Sequence, residues 1–274
     1  MFIEILIPVL ILLATAVLCA VLLTVASVFF SVKENEKFAP IRECLPGANC
    51  GACGYSGCDS YAKALSEGEE TNPNLCIPGG DGTAKSVAAV LGVEADDVVE
   101  RVAYVACNGT CHPNEKKYIY TGPQTCHAAN MNFSGDRFCT FACLGYGDCM
   151  KACPRAAISI NENGVADINP VKCIGCGICV DVCPNGLIHL IKDTERVVVK
   201  CNNRKKGADV RKYCTNGCIA CGKCVKSCPE GAITLVDNLA VIDYDKCTGC
   251  GTCKSVCPVK CIHEGSFICG AHFE

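Results

Sequence analysis

Cysteine density constrains this chain more than any other property of its sequence. Of its 274 residues, 29 are cysteines and none is tryptophan. At this density, a long chain is either a disulfide scaffold outside the cell or a carrier of thiolate ligands for metal inside it. We expect several small units that their bound groups help to hold together, because each unit is too small to rely on a large apolar core.

The N-terminal segment decides between these two classes. No charged residue occurs from Ile5 to Val32, and this run is long enough to cross a bilayer at about 1.5 Å per residue. A cleaved signal peptide fits poorly, because Glu4 stands where a basic side chain is expected. Lys33, Lys37 and Arg42 follow the span, so the positive-inside rule places the rest of the chain in the cytoplasm. Disulfides are rare there, and the cysteines are therefore predicted to be metal ligands.

Charge and composition exclude other classes of function. The formal net charge is −3 and no half of the chain is strongly basic, which argues against a nucleic-acid partner. The five histidines show no ligand spacing, and we recognise no nucleophile, acid–base pair or nucleotide-binding loop. The chemistry left to the chain is one-electron transfer by metal centres.

A repeated phrase divides the C-terminal half into domains. The phrase Cys-Pro-x-x-(Ala/Leu/Cys)-Ile occurs four times, at Cys153, Cys183, Cys228 and Cys257. The next cysteine motif follows the first and third copies after 20 and 19 residues, but follows the second copy only after 35 residues. These intervals group the four copies into two tandem domains of two motifs each.

Local patterns predict the secondary structure between the cysteine motifs. In the first domain, Asn163-Gly164 forms the turn of a hairpin between strands at 158–160 and 165–168. In the second, Asp237-Asn238 separates strands at 233–236 and 239–242. Upstream of both, apolar residues at helical spacing predict helix over residues 83–106, with a break at Gly92.

The regular cysteine motifs have the spacing of a four-iron cluster site. Cys173-x2-Cys176-x2-Cys179-x3-Cys183-Pro184 recurs from Cys218 and from Cys247. The pattern resembles the bacterial two-cluster ferredoxins, in which three thiolates of one loop hold one cluster and the fourth cysteine ligates the neighbouring cluster. A zinc site fits less well, since zinc sites usually pair two separated Cys-x2-Cys knuckles.

This crossed ligation assigns the cysteines to clusters. The predicted sets are Cys153, Cys173, Cys176 and Cys179; Cys218, Cys221, Cys224 and Cys257; and Cys228, Cys247, Cys250 and Cys253. The remaining motif, Cys139-x3-Cys143-x5-Cys149-x3-Cys153, contains inserted residues. Its natural set is Cys139, Cys143 and Cys149 with Cys183.

A different cluster motif lies directly behind the apolar span. Cys50-Gly51-Ala52-Cys53-Gly54-Tyr55-Ser56-Gly57-Cys58 supplies three ligands, and Cys76 supplies the fourth. Together with the span and the ferredoxin repeats, this element resembles the B subunit of the Rnf complex, the membrane ferredoxin:NAD oxidoreductase. The resemblance covers essentially the whole chain, and the presence of two ferredoxin domains is similar to the longer clostridial-type version.

The resemblance implies a function for the chain as one subunit of an ion-translocating oxidoreductase. Reduced soluble ferredoxin would donate electrons, which would pass along the [4Fe-4S] clusters to membrane subunits and to a flavin subunit that reduces NAD. The chain itself would carry electrons only, anchored in the cell (inner) membrane. A polyferredoxin subunit of a membrane hydrogenase or formate-oxidising complex is the alternative within electron transfer. A membrane-tethered redox sensor would need an output element, which we do not find.

The remaining cysteines suggest a sixth cluster beside the five sets above. Its predicted ligands are Cys107, Cys126, Cys201 and Cys214, with Cys111 as a spare thiol; free structural thiols are the alternative. Cys19 lies within the apolar span and is expected to be a packed small residue. Cys44, Cys261 and Cys269 have no obvious partners.

A cluster of basic residues lies between the two ferredoxin domains. The segment from Lys200 to Lys212 contains six basic side chains. It is either a solvated loop or a docking patch for an acidic ferredoxin, where complementary charge would raise the association rate.

The sequence thus predicts an α+β protein of several units. These are a transmembrane anchor at 1–32, a linker at 33–43, a [4Fe-4S] domain at 44–82, a helical and irregular connector at 83–136, a ferredoxin-like domain at 137–196, a basic linker at 197–213 and a second ferredoxin-like domain at 214–274.

Overall fold

The computed structural model describes residues 13–25, 35–95, 101–109, 116–192 and 197–264. Of the predicted transmembrane anchor, residues 13–25 form an exposed helix, α1, and the remainder lies outside the described residues. No helix within the described ranges is both long and apolar enough to cross a membrane.

The first cysteine-rich unit is helical. Its helices are α2 (Phe38–Cys44), α3 (Cys58–Glu67) and α4 (Gly80–Leu91), with short 3-10 helices at Pro73–Leu75 and Ile77–Gly79. They pack around a core that contains Ile41, Tyr61 and Val87, each at most 1% exposed. Helices α2 and α4 lie in the segments predicted as linker and connector, and both contribute to this core.

The connector between the first unit and the ferredoxin motifs contains a strand in place of a predicted helix. Helix is confirmed up to Leu91, where Gly92 ends α4 with a φ of 80°. The predicted helix at the end of this segment is wrong, because residues Arg101–Val105 form strand β1, which pairs antiparallel with β4 (Ile188–Lys192). Val102, Ala103 and Val105 are buried by that pairing, so a partner distant in sequence overrides the local helical spacing.

Two ferredoxin-like units follow, each built around a hairpin. In the first unit, β2 (Ile158–Ile160) pairs with β3 (Ala166–Ile168); in the second, β6 (Ile233–Val236) pairs with β7 (Leu239–Ile242). Both hairpin predictions are confirmed. The turn residues Asp237 and Asn238 have φ angles of 49° and 62°, as a two-residue type I′ turn requires.

A second two-stranded sheet completes each unit. It pairs the last strand of the unit with a strand that precedes the first motif: β4 with β1 in the first unit, and β8 (Ile262–Glu264) with β5 (Val197–Val199) in the second. Strand β5 therefore occupies the start of the segment predicted as basic linker. The other helices are α5 (Cys126–Met131), α6 (Asp148–Ala152), α7 (Ile178–Val182), α8 (Gly207–Val210), α9 (Lys223–Ser227) and α10 (Thr252–Val256).

Four of these helices repeat one local structure that positions cysteines. Helices α6, α7, α9 and α10 each follow a left-handed glycine and contain the third cysteine of a motif, which is buried in all four cases. Each ends at the fourth cysteine, whose extended backbone is the conformation that a following proline requires. The Gly-helix-Cys-Pro segment therefore holds two ligands of each motif at a fixed separation.

Candidate iron–sulfur cluster sites

Five cavities in the described part of the chain are lined by four or more cysteines. Each of these cavities contains four or five cysteines. Within the described residues, no group of three or more His, Cys, Asp or Glu side chains is arranged to hold a single metal ion.

The N-terminal cavity contains the set predicted from its motif. Cys50, Cys53, Cys58 and Cys76 line it together with Tyr61. The side-chain oxygen of Asn49 accepts the backbone N–H of Cys58 at 2.8 Å, which fixes the first turn of α3 beside the cavity. Burial raises the pKa of the Cys76 thiol to about 11. Cys44 packs against the same core but does not line the cavity.

The regular motif of the first ferredoxin unit also forms the predicted set. Cys153, Cys173, Cys176 and Cys179 line one cavity, and burial raises the pKa of Cys179 to about 12. Gly175 in this loop has a φ of 64°, and a Cβ there would collide with the backbone carbonyl of Arg101. Strand β1 therefore closes over the loop, which only glycine permits.

The other cavity of this unit contains Cys126 in the place predicted for Cys139. Its cysteines are Cys126, Cys143, Cys149 and Cys183. The backbone N–H of His127 donates to Asp148 Oδ2 at 3.1 Å, so the start of α5 is tied to the start of α6, the helix of Cys149. Burial raises the pKa of Cys143 to about 11 and that of Cys149 to about 12.

A further cavity joins the two ferredoxin units and contains the displaced Cys139. Cys107, Cys139, Cys201 and Cys214 line it; we call these four residues the bridging set. Three of them match the prediction for a sixth cluster, and the fourth differs, since Cys139 occupies the position expected for Cys126. Burial raises the pKa of Cys201 to about 11 and also raises that of Cys107.

Asn203 also lines the cavity of the bridging set, although no motif of the sequence marks it. It is 2% exposed, and its Nδ2 donates to Cys139 Sγ at 3.2 Å and to the Tyr213 hydroxyl at 2.9 Å. Its side-chain oxygen accepts the backbone N–H of Lys205 at 2.8 Å. The amide thus orients Cys139 toward the cavity and away from the neighbouring set.

The second ferredoxin unit contains the predicted set Cys218, Cys221, Cys224 and Cys257 around one cavity, which Cys261 also lines. Of the other predicted set, Cys253 is buried in the core of this unit, and Cys228 and Cys247 pack against that core. Cys221 and Cys250 are exposed.

Thiols of the N-terminal unit and the first ferredoxin unit also interact electrostatically. Burial is the main cause that raises the pKa of Cys176, and the charge of Cys50 raises it as well. Within the ferredoxin unit, the charge of Cys179 likewise adds to the raised pKa of Cys149.

The bridging set continues this order into the second unit. On one side, the backbone N–H of Cys143 donates to the sulfur of Cys107. On the other, the backbone N–H of Cys218 donates to Cys201 Sγ at 3.3 Å. The bridging set is therefore in direct contact with a motif of each ferredoxin unit.

Cys19, Cys111 and Cys269 are assigned to no cluster from the sequence. Cys111 and Cys269 lie outside the described residues. Cys19, which we expected to be packed, is exposed on α1 in the single chain.

Comparison with known proteins identifies the units and the family. Residues 45–78 match the family described as "Putative Fe-S cluster", and residues 138–187, 172–233 and 212–263 match models of a 4Fe-4S dicluster domain. The chain is 42% identical to the B subunit of the Na(+)-translocating ferredoxin:NAD(+) oxidoreductase complex of Acetobacterium woodii, over 94% of this chain and 78% of the relative. It is 41% identical to the proton-translocating counterpart of Clostridium ljungdahlii, over 85% and 81% of the two chains. It is 39% identical to the B subunit of the ion-translocating oxidoreductase complex of Methanosarcina acetivorans, over 88% and 91%. With these identities over most of both sequences, the chain belongs to the family of Rnf complex B subunits.

Proposed function

We propose that this chain is the iron–sulfur electron-transfer subunit of an ion-translocating ferredoxin:NAD oxidoreductase, and that it holds six [4Fe-4S] clusters. The observation that supports this most directly is the bridging set, in which Cys107 accepts a backbone hydrogen bond from Cys143 of the first ferredoxin unit and Cys201 accepts one from Cys218 of the second. The family to which the chain belongs agrees with this function.

Five of the proposed clusters are each held by four cysteines of one cavity, and the sixth is held by the set predicted from the motif at Cys247. The six sets are Cys50, Cys53, Cys58 and Cys76; Cys153, Cys173, Cys176 and Cys179; Cys126, Cys143, Cys149 and Cys183; the bridging set Cys107, Cys139, Cys201 and Cys214; Cys218, Cys221, Cys224 and Cys257; and Cys228, Cys247, Cys250 and Cys253. Four thiols around a cavity fit a cubane cluster, which takes four thiolate ligands. When bound, the clusters would supply one-electron transfer.

The protein residues hold the sites and exclude water from them. Backbone N–H groups donate to the ligand sulfurs, as those of Ala157, Leu187 and Ala232 do at 3.3 to 3.4 Å. These donors stabilise thiolate in a buried environment that otherwise raises the pKa of the thiols. Assembly must therefore remove protons that the buried cysteines hold at neutral pH.

The order of the sets suggests the order of electron transfer. The set of Cys50 is nearest to the predicted anchor, and the exposed Cys221 and Cys250 lie in the second ferredoxin unit at the other end. We propose that soluble ferredoxin donates at that second unit, and that the membrane and flavin- or NAD-binding partner subunits lie toward the N-terminal unit. In this arrangement, the apolar segment from Ile5 to Val32 anchors the chain in the cell membrane with the clusters on its cytoplasmic side.

Iron content and co-purifying subunits test this proposal. Six four-iron clusters require about 24 iron atoms per chain. We expect this value after anaerobic purification from membranes, together with flavin- and NAD-binding subunits. A plateau at or below about 16 iron atoms would contradict the assignment of the sets, and co-purification of hydrogenase or formate dehydrogenase subunits would favour the polyferredoxin alternative.

A further inference from the structure

Cys261 is a fifth thiol at the site of Cys218, Cys221, Cys224 and Cys257. It is 2% exposed and lines the same cavity. Its Sγ lies 3.7 Å from Cys257 Sγ and is also hydrogen-bonded to Cys218. The side chain therefore contacts two proposed ligands without belonging to the ferredoxin motif.

The four Cys-Pro phrases place the equivalent residue in the same position. The residue before it has a φ between 47° and 59° in every copy: Ala156, Gly186, Gly231 and Lys260. The next residue is Ala157, Leu187 or Ala232 in three copies, each at most 4% exposed, and Ala157 and Leu187 line the cavities of their sets as Cys261 does. Only the fourth copy has a side chain with a polar hydrogen there, that of Cys261.

Cluster binding fixes the direction of this hydrogen bond. The ligand cysteines must be thiolates, which accept hydrogen bonds but cannot donate them. Cys261 is the one thiol of these five that is not a proposed ligand, so its S–H is the group that donates to the sulfur of Cys218 or Cys257. Hydrogen bonds to ligand sulfur are one of the determinants of cluster potential. Reduction adds negative charge, and a donor therefore stabilises the reduced state more than the oxidised state.

We propose that Cys261 is a positioning residue that raises the reduction potential of the cluster held by Cys218, Cys221, Cys224 and Cys257. This inference rests on the proposed function. The neighbouring set, which includes the exposed Cys250, has Ala232 at the equivalent position. The side chain of Ala232 has no hydrogen-bond donor. Its cluster would keep the lower potential, so that electrons entering there are drawn toward Cys218, which contacts the bridging set through Cys201.

The residues at the equivalent position of the other Cys-Pro phrases guide the choice of variants. Cys261→Ala recreates the side chain of Ala157 and Ala232, so we expect the fold and the iron content to be unchanged. Cys261→Ser keeps a donor at the same place. Ala232→Cys is the reciprocal variant, which adds a fifth thiol to the neighbouring set.

The measurement is a redox titration of the full chain, purified anaerobically and followed by electron paramagnetic resonance. In Cys261→Ala, we expect one one-electron step to move to lower potential. At a given potential, the ratio of reduced to oxidised cluster should fall about tenfold, which corresponds to a shift of about 59 mV for one electron. Cys261→Ser should retain the wild-type value, and Ala232→Cys should move a different step upward.

Three outcomes would overturn the inference. The first is a Cys261→Ala protein with full iron content and wild-type potentials, and the second is a Cys261→Ala protein that loses about four iron atoms, because Cys261 would then be a ligand. The third is a Cys261→Ser protein whose potentials equal those of Cys261→Ala. Failure of the proposed function itself would appear differently, as a low iron content in the unmodified chain.

Discussion

The side-chain amide of Asn203 donates to Cys139 Sγ at 3.2 Å, across 64 residues of sequence. This contact joins the segment between the two ferredoxin units to the first motif of the first unit. Because Asn203 is buried and its amide is also held by Tyr213 and Lys205, the hydrogen bond fixes Cys139 in the bridging cavity.

Removal of this donor should weaken the bridging site selectively. A hydrogen bond to a charged acceptor contributes about 1.5–3 kcal/mol, so Asn203→Leu should release the iron of this set about ten to a hundred times faster to a chelator. The control is Asn202→Leu, because Asn202 also lines the bridging cavity and bonds to the carbonyl of Asn185 at 3.2 Å, but its side-chain amide donates to carbonyl oxygens and not to sulfur. Equal iron release from the two variants would contradict a specific role for the Asn203 amide.

Pairs of cysteine substitutions should distinguish the two possible partners of Cys183. If Cys126 and Cys183 hold the same cluster, Cys126→Ala with Cys183→Ala should lose about four iron atoms, as either single variant does. Cys139→Ala with Cys183→Ala should lose about eight, because two sites are damaged. The assignment expected from the motif alone predicts the reverse, so iron analysis of these two double variants decides between them.

Regular spacing explains which parts of the sites could be predicted from sequence. In the motifs from Cys173, Cys218 and Cys247, all three loop ligands are within seven residues, and a left-handed glycine and a short helix position them locally. The hairpin turns are local in the same sense. These features depend on neighbours in sequence, and the cysteines of the motifs from Cys173 and Cys218 line one cavity each, together with Cys153 and Cys257.

The exchange of Cys126 and Cys139 could not be predicted, because distant contacts determine it. Cys126 reaches its cavity through the bond between His127 and Asp148, and Cys139 is held by Asn203. The irregular Cys139-x3-Cys143-x5-Cys149 spacing was the available signal that one cysteine did not belong to the motif. Strand β1 is a similar case, since its pairing with β4 spans most of the first ferredoxin unit.

The carboxylate of Asp136 should stabilise the segment that carries Cys126. Asp136 is fully buried, with Lys116 Nζ at 2.6 Å and the Tyr146 hydroxyl at 2.8 Å from its Oδ2. Burial alone would raise the pKa of Asp136, but the bonds from Lys116 and Tyr146 outweigh it and hold the pKa below its ordinary value. Its contribution to stability is therefore complete above the unfolded pKa of about 3.9 and is lost as the pH falls through the lower folded pKa.

Asp136→Asn should lower the free energy of unfolding at pH 7 by about 1–3 kcal/mol, because a buried charge-assisted bond is lost. We also expect faster iron release from the set of Cys126, Cys143, Cys149 and Cys183. Asp167→Asn is the control, since Asp167 is exposed on β3. Denaturant unfolding under anaerobic conditions measures the difference, and a variant as stable as the control would contradict this role.

The basic segment between the ferredoxin units should accelerate the reaction with ferredoxin. Within it, Arg204 pairs with Asp237 at 3.4 Å and Lys212 with Asp209 at 2.8 Å, whereas the nitrogen of Lys205 lies 6.0 Å from the centre of the Tyr213 ring. Lys205, Lys206 and Arg211 are exposed, so they are the side chains best placed to attract an acidic partner.

Neutralisation of Lys205, Lys206 and Arg211 to glutamine should slow reduction by ferredoxin at low salt, with the iron content unchanged. The defect should shrink as salt is added, because the range of the field falls to about 8 Å at about 0.15 M ionic strength. The control neutralises Lys63, Lys151 and Lys172, three exposed lysines outside the second ferredoxin unit and the basic segment, and so removes the same net charge. Stopped-flow rates across a salt series make the comparison. Equal rates for the two triple variants would show that the effect depends on net charge alone. A defect that does not depend on salt would indicate altered structure. Either result would contradict the docking role and favour a solvated loop.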